Sequence, residues 1–420
     1  MAWLRRYLLC GLLAWMAAVG LAQAETARPE PSDRQVLVLL RLPADHNRPD
    51  ATYGGGYGPG AAQAARRRIA LRLAHAHGLT LSTSWPMPVV GLDCFVLSVP
   101  AGQSTEAVAA QLSQDRAVAW SEPMHVYRAE AHAQAPAPAL TAGAPPNDPL
   151  YRAQPAAREW RLDTLHRYAT GRNVRVAVVD SAVDIHHPDL AGQVLASQNF
   201  VEGRPDNPEL HGTGVAGIIA AVADNRIGIV GVAPGARLLA LRACWQQDAQ
   251  ATLCNTLSLA RAVSFAIEHS AQVINLSLAG PPDLLLGRLI DVALARGIVV
   301  VGAVDPGLAR GGFPASHPGV VAVASGSGGP SPGAFIAPGR DVPTTQPGGT
   351  WGLVSGSSYS AAHVSGLFAL LREHDRRGGS PLTLVVARVG GGIDACASLL
   401  GAAGPCGGAQ PVAYSAIPRP

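Results

Sequence analysis

Four apolar residues in a row, Ile298-Val299-Val300-Val301, leave no polar face on any strand they form, and Val176-Ala177-Val178-Val179 repeats the pattern. Successive side chains point to opposite sides of a strand, so both sides of these segments must be covered. A sheet with one wet face cannot use them, whereas a parallel sheet between two helical layers can. Helical periodicity fills the gaps between such runs. From Val174 onward the sequence predicts strand 174–180, helix 211–223, strand 237–244, helix 256–269, strand 272–278, helix 283–296 and strand 298–304, with Gly297 closing the last helix. The expected fold is α/β, a parallel sheet flanked by helices. Functional groups in such sheets gather at the carboxyl ends of strands, where loops lead into helix N-termini.

The chain has 420 residues, enough for more than this one domain. Residues 35 to 130 read as a separate small α+β module, with strand 35–42, helix 61–77, strand 93–99 and helix 105–114. Ala129 to Pro146 is dominated by Ala and Pro and predicts an exposed linker open to protease attack. At the start, Arg5 and Arg6 precede an apolar run from Leu8 to Ala22, and Ala22-Gln23-Ala24 supplies small residues for cleavage. That is a signal peptide, cut after Ala24. The organisation expected is 1–24 signal, 25–128 module, 129–146 linker, 147–402 main domain and 403–420 tail, with no membrane association once the signal is gone.

Composition removes several chemistries. All 32 basic residues are arginine, so a Walker phosphate loop, a lysine Schiff base and a Ser-Lys dyad are excluded. A net charge of +3 gives no footprint for nucleic acid. Export permits disulfides, and proximity pairs Cys244 with Cys254 and Cys396 with Cys406, leaving Cys94 over. No CxxC spacing occurs, which argues against structural zinc.

Three segments carry candidate chemistry. Asp180 ends the strand Arg175-Val176-Ala177-Val178-Val179, His211 opens Gly212-Thr213-Gly214-Val215-Ala216-Gly217, and Ser358 lies in Ser355-Gly356-Ser357-Ser358-Tyr359-Ser360-Ala361-Ala362-His363-Val364-Ser365-Gly366 before an apolar helix. Any one of them alone reads as a helix cap. Together they place an acid, a base and a nucleophile at three junctions, in the order Asp, His, Ser. Gly212-x-Gly214-x-x-Gly217 also fits a dinucleotide fingerprint, but Pro205 to Leu210 is no strand. His186, His187, Asp184 and Asp189 could suggest a metal site, and read more simply as turn and capping residues.

In these motifs the chain resembles the subtilisin-like serine peptidases, over about residues 147 to 402. Asn147-Asp148-Pro149-Leu150-Tyr151, Val273-Ile274-Asn275-Leu276-Ser277-Leu278 and Ala337-Pro338-Gly339 support the resemblance. It implies that Asp180 orients the imidazole, His211 is general base and acid, and Ser358 is the nucleophile. Ser277, Leu278, Ala279 and Gly280 would pair with substrate backbone, while Gly302, Ala303 and Val304 would line the pocket for the residue before the scissile bond. The small module resembles the family's inhibitory propeptide, ferredoxin-like in fold. The implied protein is a secreted, monomeric endopeptidase, made as a self-processing zymogen, whose partners are polypeptide substrates and its own propeptide. No cofactor is implied. Family members often bind structural calcium, but no full set of oxygen ligands can be traced, so no metal site is assigned.

The chain departs from the family at three places. Ala182 and Ala362 stand where Gly and Pro are common. Asp305 stands at the oxyanion position, where the family has an amide-donating asparagine, and losing such a donor costs about 10²–10³ in turnover in subtilisin itself. A neutral carboxyl could donate instead, and burial beside apolar neighbours such as Val304 would favour that form. The alternative is a catalytically impaired protein that keeps the fold as a binding or regulatory module.

Overall fold

A computed structural model describes residues 31–41, 59–130, 132–136, 146–247, 251–326, 333–378, 382–386, 392–401 and 412–415. The expected signal peptide of residues 1–24 and Cys406 lie outside them.

The module is built from β1 (Gln35–Arg41), α1 (Pro59–Ala76), β2 (Thr80–Met87), β3 (Leu92–Ser98), α2 (Thr105–Leu112) and β4 (Val118–Pro123). Its antiparallel sheet has the order β2-β3-β1-β4, which is the ferredoxin-like arrangement. Strands β2 and β4, which the periodicity missed, complete it. β1 is apolar at consecutive positions because each face has a cover. Val36, Val38 and Leu40 pack with the module's own helices through Leu73, Val108 and Leu112. Leu37 and Leu39, with Cys94 and Val96 of β3, join the core of the main domain. Cys94 is a free buried thiol, pushed up by desolvation.

Two further strands follow, β5 (Val126–Glu130) and β6 (His132–Pro136). Here the expected exposed linker is corrected. Ala129 is buried, β5 pairs with the main domain, and β6 pairs there too. Ala and Pro lack the bulk to drive strand formation themselves, but a backbone laid beside open edges gains its hydrogen bonds from those neighbours.

The main domain contains β7 (Arg175–Asp180), β8 (Val194–Asn199), α3 (Leu210–Ala220), β9 (Arg237–Arg242), β10 (Cys244–Gln246), β11 (Ala251–Asn255), α4 (Thr256–Glu268), β12 (Val273–Leu276), α5 (Leu284–Ala295), β13 (Val299–Ala303), β14 (Val321–Ala324) and β15 (Phe335–Ile336). A seven-stranded sheet runs β15-β14-β13-β12-β7-β9-β8, parallel throughout. Val176 and Val178 face α3 and the long helix α6 (Ser357–Arg376), packing with Ile219 and Leu367. Ala177 and Val179 face α4 and α5, packing with Val263 and Leu289. Strand alternation thus feeds two cores, as the apolar runs require.

The hairpin β16 (Val342–Gln346) and β17 (Thr350–Ser355) leads directly into α6. Beyond it, β18 (Thr383–Val386) pairs with β19 (Val412–Ser415), and α7 (Ala395–Leu400) lies between them in sequence. Cys244 and Cys254 are joined across β10 and β11, and Cys396 is also disulfide-bonded. Among the described residues no helix is long and apolar enough to cross a membrane.

Candidate active site

The sheet delivers Asp180 at the carboxyl end of its interior strand β7. Its buried Oδ1 accepts from the Ser181 N–H at 2.6 Å and from His211 Nδ1–H at 2.7 Å. An ionised carboxylate only accepts, so the imidazole proton sits on Nδ1 and Nε2 keeps its lone pair. Nε2 is buried and has no hydrogen-bond partner among the described residues. Tyr359 packs against the ring, with centroids 5.4 Å apart.

Close backbone approach sets the position of His211 at the start of α3. The Gly212 N–H donates to Ser181 Oγ at 2.9 Å, and a Cβ on Gly212 would collide with the Ser181 carbonyl. Glu209 fixes the preceding turn, accepting from the Ala182 N–H at 2.7 Å, the Gln246 N–H at 3.1 Å and Arg242 at 3.0 Å. Nothing in that turn is a strand, so the glycine pattern serves close packing and not a dinucleotide.

Gly356, at φ 150° and ψ 160°, turns the chain from β17 into α6 and places Ser358 on its first turn. Ser358 is buried, and its Oγ donates to the Ser277 carbonyl at 3.0 Å. Ser277 Oγ returns a bond to the Ser358 carbonyl at 2.8 Å, while accepting from Asn275 Nδ2 at 2.8 Å. Ser365 Oγ closes the chain onto Asn275 Oδ1 at 2.8 Å. The motif search did not assign Asn275 and Ser365 this role. Their signal was a polar residue inside the otherwise apolar β12, and a serine two turns beyond Ser358 along the same helix.

The expected substrate strand is already paired. Ala279 and Arg128 exchange both backbone bonds, at 2.9 and 3.0 Å, and Gly280 does the same with Phe313 at 2.9 Å. Ser277 and Leu278 are buried beneath. Gly302, Ala303 and Val304 are buried at the end of β13; Gly302 faces Ala315 and Val320, and Val304 packs against Gly311. Asp305 departs from the premise set for it. It is half-buried rather than enclosed by apolar side chains, and its Oδ1 accepts from the Gly307 N–H at 2.7 Å in a local turn. A carboxylate engaged as an acceptor there is not presented as a donor to a developing oxyanion.

His187 and Asp189 are structural, as expected. His187 accepts from the Asp189 N–H, and Asp189 holds Asn225, the Ile229 N–H and Trp351. Asp184 likewise accepts from the His186 and Gly348 N–H groups.

A second polar cluster lies where the module meets the main domain. Glu122 of β4 accepts from the Leu284 and Leu285 N–H groups at the start of α5, at 2.9 and 3.0 Å. Asp283 caps the same helix through Leu286 and accepts from His125 Nδ1 at 3.1 Å. Glu122, His125 and Asp283 stand close enough to surround a metal ion, but the oxygens are already occupied by protein donors. Burial, and then the charge of Asp283, push Glu122 up to about 7 from 4.5, while the bond to Asp283 raises His125. Both groups therefore hold protons more tightly when docked. Docking strength is fully present at low pH, and is lost as pH climbs through about 7 for Glu122 and through the raised value of His125. Between pH 5 and pH 8 the docked module should loosen by about tenfold, taking about one pKa unit as docking energy. Limited proteolysis of the module in an uncleaved Ser358→Ala chain measures this, and Glu122→Gln should flatten the profile.

Comparison with known proteins gives a consistent result. Residues 171–385 match the model of the subtilase family. Subtilisin E of Bacillus subtilis (strain 168) is 38% identical over 222 residues, covering 48% of this chain and 56% of its own. Thermitase of Thermoactinomyces vulgaris is 33% identical over 245 residues, covering 55% of this chain and 86% of its own. The chain thus spans little more than half the length of the first relative and most of the second. Fervidolysin from Fervidobacterium pennivorans, described as a keratinolytic enzyme related to subtilisin, superposes with a TM-score of 0.61 at 22% identity, over 84% of this chain and 56% of its own. With the sheet order, the Asp180–His211 pair and the serine-bearing helix already in place, the family match makes the conclusion direct: the chain belongs to the subtilase family.

Proposed function

We propose that the chain is a secreted serine endopeptidase made as a self-processing zymogen. The observation that carries this reading is a polypeptide already lying extended in the cleft: β5 is hydrogen-bonded to β11 on one edge and to Ala279 on the other. A site that binds main chain in this way takes polypeptides by strand addition.

Ser358 Oγ attacks the carbonyl of the bound strand, giving its proton to His211 Nε2 in place of the Ser277 carbonyl. Asp180 stabilises the imidazolium and keeps Nδ1 protonated. His211 then protonates the departing amine, and water releases the acyl group from Ser358 by the reverse proton path. The N-terminus of α6 directs its dipole at the reacting centre, a contribution independent of Asp305. No cofactor is needed. The ferredoxin-like module is the propeptide, docked as an inhibitor, and the active form is a monomer acting on other polypeptides outside the cytoplasm.

Treatment of the purified, exported protein with a fluorophosphonate tests the reading. Ser358 should be the labelled residue, and casein hydrolysis should fall in step with labelling. An unlabelled Ser358 with intact casein would overturn it and favour a binding module.

A further inference from the structure

A buried cation lies beside the Asp180 carboxylate and takes no part in the proton path. Arg242 ends β9 in register with Asp180 at the end of β7. Partners in a parallel ladder point to the same side of the sheet. On both strands that side is the one covered by α3 and α6, because Val176, Val178 and Leu238 pack there. The Arg242 side chain is only 5% exposed, yet its guanidinium bonds away from Asp180. Nη2 donates to Glu209 Oε1 at 3.0 Å, and Nη1 reaches Asp206, whose side chain is 62% exposed, at 3.5 Å. Nε is buried and has no hydrogen-bond partner among the described residues.

Burial leaves this cation few alternatives. A buried charge stripped of its partner is strongly destabilising, so the side chain turns to whatever anion it can reach. Asp206, solvated and loosely held, offers little. The Asp180 carboxylate stands at the same level of the next strand, on the same face. Both bonds it accepts among the described residues fall on Oδ1, which leaves Oδ2 for a further donor. A guanidinium there would neutralise the charge that supports the His211 imidazolium, and would draw the carboxylate away from Nδ1. Glu209 stands in the way. It is the residue just before α3, two positions ahead of His211, and the Ala182 and Gln246 N–H groups hold its carboxylate in place.

We propose that Glu209 is a positioning residue for the proposed triad: it holds the Arg242 guanidinium away from Asp180, so that the carboxylate stays on His211. The inference rests on the proposed peptidase activity. It gives the Arg242–Glu209 pair an electrostatic task distinct from bracing the turn, and the two tasks have opposite consequences when both residues are neutralised. If the pair only braced the turn, losing both halves would harm turnover at least as much as losing one. If Glu209 restrains Arg242, taking the arginine away as well removes the harm.

The test compares wild type, Glu209→Gln, Arg242→Met and the double variant by the rate of fluorophosphonate labelling of Ser358 and by casein hydrolysis. Glutamine keeps an oxygen for one of the two N–H groups and loses the charge. It should lower both rates at least about 100-fold, part of the loss expected when a triad aspartate is disabled. Arg242→Met should cost less than about tenfold, and the double variant should recover to that same range, a large coupling between the two sites. Glu209→Gln at the wild-type rate overturns the proposal, and so does a double variant no faster than Glu209→Gln alone. Should Glu209→Gln not be recovered folded, the double variant decides by itself: folded and active supports the proposal, folded and inactive overturns it. Wild type separates the two failures. If it neither labels nor cuts casein, the peptidase reading falls and takes this inference with it; if it does both, only this inference is at stake in the variants.

Discussion

Ser358→Ala is expected to accumulate with its module still attached and to lose peptide hydrolysis by about 10⁶-fold, the size found for the nucleophile of subtilisin itself. The substitution removes the bond from Ser358 Oγ to the Ser277 carbonyl. It leaves the return bond from Ser277 Oγ, because that bond ends on the backbone carbonyl of residue 358. The Asn275 and Ser365 contacts below are also untouched. A helix accepts alanine readily, so folding should be preserved and thermal unfolding should shift by only a few degrees. Intact mass reads the processing and a quenched peptide substrate reads the turnover. A folded variant that still loses its module, with no other protease present, would place the nucleophile elsewhere.

The parts of the molecule legible in the sequence are those whose side chains dictate structure by themselves. Val176 to Val179 and Val299 to Val301 need cover on two faces, and the sheet and both helical layers follow from that. Asp180, His211 and Ser358 stand at element ends, where position and chemistry coincide. The Cys244–Cys254 pair spans a hairpin short enough for proximity to name it.

What the sequence conceals is structure conferred by a distant partner. β2 mixes Thr, Ser and Pro with few apolar residues and forms because β3 offers an edge. β5 and β6 have their partners more than 120 residues away, in β11 and β17, and nothing in an Ala-rich segment announces them. Asp305 fails for a related reason. Its apolar predecessor Val304 suggests burial, yet the chain turns there, and the Gly307 N–H captures the carboxylate locally. Tyr127 is the opposite case: a large aromatic residue just before the expected linker was itself a sign that the segment had somewhere to bury it.

Asp180→Asn should cost about 10⁴ in turnover while leaving the fold in place, and two routes lead to a similar figure. If the amide oxygen keeps the bonds now made by the Ser181 N–H and His211 Nδ1, the tautomer survives but the charge opposite the imidazolium is gone. A unit charge about 4 Å away at an effective dielectric of 20 is worth about 4 kcal/mol, or roughly 10³ in rate. If instead the amide turns to donate to Nδ1, the histidine proton moves to Nε2, and His211 can no longer accept from Ser358; that tautomer error costs about 10⁴ in the corresponding triad of a different fold. Fluorophosphonate labelling of Ser358 should slow by a similar factor, since it depends on the same proton transfer. The Gly212 contact to Ser181 and the Glu209 anchor do not involve the Asp180 side chain, so the imidazole stays in place and unfolding should change little. An asparagine variant retaining a tenth of wild-type turnover would mean that the Asp180 charge plays no part in activating the serine.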